Sequence, residues 1–341
     1  MKKRILSLIV VVGLLMTMLV GCGEKEAGPE EDGTKVGLVL AGGLGDKSFY
    51  DSANEGVEKA VEDLGVIHKV YECRNDPNLQ SDQLVQASED SDIVVVVGYE
   101  FYDLVQEVSG EFKDVDYIYV DNEIPGIDNL ITISYAENEG SFLAGALAAM
   151  LTSDGEIADM NPEKIIGMIG GEDLDVIRNF QVGYEAGAKY VDEDIKVITM
   201  YAEDFEDPAK GKEIASVIYS QGADIIFQVA GKTGEGVFEA AEEMSAYAIG
   251  VDTDQRHIKP DRIVASMVKE VGKSIYETIE NIGKDNLERG EVIIYSLEKD
   301  GVGMGYGDDS MVQIVDEKYK EEVGKIKEKI LAGEIKVPTA K

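Results

Sequence analysis

The chain has 341 residues, 44% of them hydrophobic, enough for one large or two medium domains with a substantial core. It carries 32 basic and 68 acidic residues, a formal charge of -36, which excludes a nonspecific nucleic-acid binder because such a protein needs a basic face to displace counterions. Two cysteines cannot make a disulfide framework, and no Cys/His cluster has zinc-ligand spacing.

Lys2, Lys3 and Arg4 precede an apolar stretch from Ile5 to Val20, short for a membrane span and suited to the apolar region of a secretion signal. It ends in Leu19-Val20-Gly21-Cys22, which resembles a bacterial lipobox. That resemblance implies a signal peptide over residues 1–21, cleavage before Cys22 and lipid attachment to its sulfur. Loss of residues 1–21 leaves 29 basic and 68 acidic residues, a charge of -39. Residues 22–34 are polar and rich in Gly, Pro and Glu, and read as a flexible tether. Cys73 is then the only other thiol, expected as a half-buried small apolar residue rather than a nucleophile.

From Lys35 onward strands alternate with helices. The apolar, β-branched run Lys35–Leu40 is a strand broken by Gly42-Gly43. A helix follows, capped by Asp46 or Ser48, with Ala53, Val57, Ala60, Val61 and Leu64 as its stripe. Next come a strand at 66–71, a helix at 81–88, the almost wholly apolar strand at 92–97, a helix at 101–112 and a strand at 117–120. The alternation restarts with a helix at 139–151 and runs through strands at 164–169, 196–201, 224–229 and 246–251, with helices at 176–191, 209–220 and 234–244. A helix at 269–282, a strand at 292–296 and a helix at 318–331 complete the chain. Such alternation indicates βαβ units, and two successive arrays suggest two doubly wound parallel-sheet lobes. Open parallel sheets bind ligands beyond the carboxyl ends of their strands, so residues just after the strands are the informative ones.

The glycine-rich loop Gly42-Gly43-Leu44-Gly45 enters a helix, yet it does not match G-x-G-x-x-G, since position 48 is Ser. Gly231-Lys232-Thr233 and Gly272-Lys273-Ser274 look like phosphate-loop fragments, but Ile226 and Met267 stand where the first glycine would have to be. Nucleotide hydrolysis is disfavoured, and with only His68 and His257 triad catalysis has few candidates.

Gly45-Asp46-Lys47-Ser48-Phe49 resembles the G-x-D-K-S-F-N signature of the basic membrane protein family, which includes purine-nucleoside-binding lipoproteins of ABC importers. Six further pieces occur in the family's order: residues 139–145 (EGSFLAG), 180–187 (FQVGYEAG), 207–212 (DPAKGK), 230–236 (AGKTGEG), 250–255 (GVDTDQ) and 265–269 (ASMVK). The similarity spans roughly residues 35–340. It implies an α/β periplasmic-binding-protein type I fold, two doubly wound lobes joined by a hinge that close on a nucleoside. The expected lobes are 35–124 with 253–290, and 125–252 with 291–341.

A nucleoside needs aromatic faces for its base and polar anchors for its ribose hydroxyls. Phe49 matches the family's signature Phe and is the first stacking candidate. Phe205, after the strand at 196–201, is a candidate from the other lobe, and Phe180 is a third. By resemblance Asp252 and Lys269 would hold the ribose hydroxyls, the carboxylate accepting and the ammonium donating. Gly231 would line the same end through its backbone, and Asp121 is the remaining polar candidate. Two positions depart from the family pattern. Leu40-Ala41 stands where relatives carry an Asp, typically in Thr-Asp, and Tyr50 stands where they carry Asn. Loss of a polar group there implies altered or relaxed base selectivity, or a different aromatic or sugar-like ligand.

The leading expectation is a monomeric, lipid-anchored extracytoplasmic receptor that delivers a nucleoside to an ABC permease and its ATPase, with no catalytic residue, metal or cofactor. A metal-dependent nucleoside hydrolase would need clustered acids, the nearest being Asp173 with Asp175 and Asp252 with Asp254. A ligand-sensing regulatory lipoprotein of the same fold is the third possibility.

Overall fold

The computed structural model describes residues 33–155, 157–288 and 290–340. The signal peptide, Cys22 and nearly all of the tether expected above lie outside the described residues. Strands β1 (Lys35–Leu40), β2 (Ile67–Glu72), β3 (Ile93–Val97), β4 (Asp116–Val120), β5 (Leu130–Tyr135) and β11 (Val292–Tyr295) form one wholly parallel sheet in the order β11-β5-β4-β3-β1-β2. Strands β6 (Ile165–Gly170), β7 (Lys196–Tyr201), β8 (Ala223–Val229), β9 (Tyr247–Asp252), β10 (Ile263–Lys269) and β12 (Val302–Gly305) form the second, in the order β12-β10-β9-β8-β6-β7. Among the described residues its only antiparallel pairing is that of the edge strand β12 with β10.

The two orders are the same pattern used twice, β1 to β5 corresponding to β6 to β10. The central strands are fully buried; β3 (IVVVV) is apolar at every position, as a strand covered on both faces must be. Helices α1 (Phe49–Leu64), α2 (Pro77–Asp90) and α3 (Tyr102–Glu111) follow the first three strands of the first sheet, and α4 (Glu137–Asp154) leads into the second. There α5 (Asp175–Val191), α6 (Pro208–Ser220) and α7 (Gly234–Glu243) repeat the arrangement, and α8 (Val271–Gly283) returns to the first. The terminal helix α9 (Glu317–Leu331) packs against α4.

The chain passes between the sheets after β5, after β10 and after β11. These points differ from the lobe boundaries expected from sequence: β5 and β11 belong to the first sheet, and β10 to the second. The helix expected from 269 begins at Val271, because Lys269 is the last residue of β10. The reason is common to both lobes. The β4–β5 and β9–β10 connections contain no α-helix, only loop and, in the second, the short 3-10 turn Gln255–His257, so a strict alternation of strand and helix passes over β5 and β10. Cys73 is fully rather than half buried, and burial pushes its thiol up to about 11.

Candidate functional site

The strand ends of both sheets face a cavity of about 370 Å³. Phe49, Tyr50, Asp121, Phe180, Phe205, Gly231, Asp252 and Lys269 all lie on its wall. Asp121 directly follows β4 and Asp252 ends β9, equivalent places in the two lobes, and both have left-handed backbones with φ of 66° and 64°. Aspartate tolerates that conformation better than most side chains do. Between them stands Lys269, at the end of β10. Its Nζ lies 2.7 Å from Asp121 Oδ2 and 3.8 Å from Asp252 Oδ1. The three side chains are 3%, 13% and 8% exposed, so one cation joins a carboxylate from each lobe away from water. Burial alone would lower the pKa of Lys269, but Asp121, Asp252 and Glu137 together raise it above the ordinary lysine value, and the ammonium stays charged.

Apolar faces surround this cluster. Lys269 Nζ lies 4.5 Å from the ring centre of Phe49, 5.1 Å from Tyr135 and 5.6 Å from Phe180, each within cation–π range. Phe180 is 1% exposed and also packs on Phe227 of β8, with ring centres 6.3 Å apart, so its ring serves the core as well as the cavity. Phe205 is held by its backbone: its carbonyl accepts from Thr233 N, and Thr233 Oγ1 donates to Asp204 O. Gly171 faces the Phe205 ring, and a β-carbon there would overlap it. Gly231, with φ 54°, begins the 3-10 turn that carries Thr233.

Asp46 positions Phe49. Its Oδ1 accepts from the backbone N–H groups of Ser48 (3.0 Å) and Asp51 (3.1 Å), and its Oδ2 from Tyr50 N–H (2.9 Å), fixing the first turn of α1. Ser48 has no capping bond to the helix; its Oγ instead donates to Asp252 Oδ2 at 2.6 Å, across the lobes. Burial raises the Asp46 carboxyl to about 6 against the pull of its three N–H partners.

Leu40 and Ala41, where the loss of a polar group was expected to alter base selectivity, are both fully buried in the core and do not line the cavity. Tyr50 does line it, with its ring edge against Gly42 and its ring centre 5.6 Å from that of Phe49. Sequence reasoning missed Asn75, Gln80, Tyr99, Glu100 and Glu172, which also lie on the wall. Four of these follow a strand end by a few residues (β2, β3 or β6), the signal that had picked out Asp252. The acids Asp173 and Asp175, considered as a metal pair, are both engaged by Arg178, at 2.7 Å and 3.1 Å.

The Bmp family model, described as ABC transporter substrate-binding protein PnrA-like, matches residues 33–341. Basic membrane protein A of Borreliella afzelii is 34% identical, over 93% of this chain and 95% of its own. The ABC transporter nucleoside-binding protein BmpA of Lactococcus lactis subsp. cremoris is 29% identical, over 99% of this chain and the whole of its own. Among solved structures, an ABC transporter solute-binding protein of Aeropyrum pernix superposes with a TM-score of 0.79 at 25% identity, covering 89% of this chain and 94% of that one. The family and these structural relatives are substrate-binding proteins of ABC transporters, not enzymes. With the model spanning all of the described residues, the chain belongs to the Bmp family of ABC transporter substrate-binding proteins.

Proposed function

We propose that the protein is the lipid-anchored, extracytoplasmic receptor of an ABC importer, and that as a monomer it carries a purine nucleoside to the permease and its ATPase. The observation that carries this reading is the meeting of Phe49, Phe180 and Phe205 with Asp252 and Lys269 on one cavity at the strand ends of both lobes. Phe49 and Phe205 take the faces of the base, with Phe180 and Tyr50 beside them. Asp252 accepts from a ribose hydroxyl while the Lys269 ammonium donates to one, and Asp121 holds the ammonium in place. Gly231 offers its backbone near Phe205. The nucleoside-binding relative in Lactococcus lactis supports the ligand class. Cys22, behind its apolar stretch, is the lipid attachment site and places the receptor outside the cytoplasmic membrane.

Isothermal titration with adenosine, guanosine, inosine, cytidine and ribose tests the ligand. Saturable heat is expected with at least one purine nucleoside, less with cytidine, and none with ribose alone because the aromatic faces then go unused. Absence of heat with all five overturns the nucleoside reading, and heat with ribose alone replaces it with a sugar receptor.

A further inference from the structure

Glu100 is the one carboxylate on the cavity wall with a buried oxygen that finds no partner among the described residues: its Oε2 is out of contact with solvent and accepts no hydrogen bond. Two neighbouring hydroxyls are committed elsewhere. Tyr99 Oη donates to Glu172 Oε2 at 2.8 Å, and Tyr119 Oη donates to the carbonyls of Gly98 and Tyr99. Of the two lysines on the wall, Lys269 is held by Asp121, and Lys232 lies 3.5 Å from Glu206. The carboxylate lies beside the chain end of β3. A β-carbon placed on Gly98 would come within 2.7 Å of Glu100 Oε2 and 2.5 Å of the Ala41 side chain. Ala41 is one of the positions that depart from the family pattern, and it and the Glu100 oxygen both adjoin the place where a Gly98 side chain would stand.

An ionised carboxylate is acceptor-only, so what completes Glu100 is a donor supplied by the ligand. A buried acceptor left unpaired is costly, so a ligand that brings an N–H to it is favoured over one that brings a lone pair. Within the nucleoside reading, on which this inference rests, we propose that Glu100 is the specificity-determining residue for the base and that it selects a guanine-type edge. Guanine presents N1–H and the 2-amino group side by side, two donors toward one carboxylate, and hypoxanthine presents N1–H alone. Adenine places an acceptor, N1, beside its 6-amino donor, and that lone pair would face the carboxylate.

The test is isothermal titration of guanosine, inosine and adenosine into the wild-type protein and Glu100→Gln, with thermal unfolding of both. Wild type is expected to bind guanosine at least about tenfold more tightly than adenosine, with inosine between them. The glutamine amide presents one acceptor and one donor, the complement of the adenine edge. The guanosine-to-adenosine ratio is therefore expected to fall about tenfold or more in the variant. A ratio unchanged by Glu100→Gln, or a wild type that prefers adenosine, overturns the role of Glu100 and leaves the nucleoside reading standing. Failure of the wild type to bind any of the three overturns the nucleoside reading, and the role of Glu100 with it. If Glu100→Gln melts markedly early, Glu100→Asp carries the test. Its withdrawn carboxylate weakens guanosine while keeping the order of the bases, and unaltered guanosine affinity overturns the inference.

Discussion

Lys269 sits where a lysine is rarely found, 3% exposed, and it does so because carboxylates from two elements converge on it: Asp121 beyond β4 and Asp252 at the end of β9. Removing one partner from such a cluster is far costlier than removing a surface pair, since the remaining charges stay buried without compensation. Lys269→Met keeps most of the volume and leaves two carboxylates facing each other. It is expected to destabilise the protein by about 3–5 kcal/mol, read from urea unfolding midpoints, and a second change, Asp121→Asn, is expected to recover part of that loss. A cost below about 1 kcal/mol would instead mean that the cluster is hydrated like a surface pair. Asp252 was legible in the sequence because it stands at a strand end inside a recognisable motif, and Lys269 because it matches the lysine of a family motif, although it was expected at the start of a helix. Ser48 was legible only as a helix cap, whereas its hydroxyl is spent on Asp252, a residue 204 positions away, and no local pattern encodes that contact. Glu100 was missed, although it follows the end of β3, because a glutamate in so acidic a chain looks like one more solvated charge; its orphaned oxygen sets it apart.

The elements explain why those side chains converge. Each lobe runs strand–helix three times, then places two strands in succession without an intervening helix, and this shared plan brings Asp121 and Asp252 to equivalent points. The strand–helix alternation was readable from apolar runs and stripes; β5 and β10 were not, because the expected helix between neighbouring parallel strands is absent there. The helices that enter each lobe from the other are seated by glycines. Helix α8 meets α1 where Gly56 faces Gly272, and α4 meets α5 where Gly145 faces the Tyr184 carbonyl and Gly187 the Phe142 carbonyl. A β-carbon at Gly187 would overlap backbone rather than a movable side-chain tip, so the helices themselves must part. Gly187→Ala is expected to cost about 2 kcal/mol or more, lowering the melting temperature by roughly 3 °C or more. Gly324→Ala in α9 is the control. Nothing lies within 4 Å of its added methyl, and the better helix former is expected to leave stability unchanged or raise it by up to about 1 kcal/mol. Equal melting temperatures for the two variants would show that α4 and α5 are not in fixed contact at Gly187.

At the scale of the whole molecule, three crossings join the lobes, and separate contacts bridge the rims. Lys47, in the loop after β1, reaches Glu235 at the start of α7, Nζ to Oε2 2.7 Å, and its carbonyl accepts from Thr253 Oγ1 and Gln255 Nε2, both at 3.0 Å. Tyr99 and Glu172 make a second bridge. These contacts form only while the lobes are together, so they bear on how long a ligand stays rather than on how it is recognised. The Lys47–Glu235 pair is 47% and 24% exposed, which limits its worth to about 0.2–1 kcal/mol. Glu235→Gln is accordingly expected to speed release of bound guanosine by about 1.5- to 5-fold in stopped flow, with little change in the association rate. Because an exposed pair is screened by salt, raising ionic strength from about 0.05 to 0.5 M should quicken release from the wild type and leave the variant almost unchanged. Glu235 is not on the cavity wall, so a faster release in the variant reports on the rim and not on a lost ligand contact. A wild-type release rate indifferent to salt would mean that this ion pair does not hold the cleft shut, leaving that task to the buried Ser48–Asp252 bond and the paired carboxylates of Lys269.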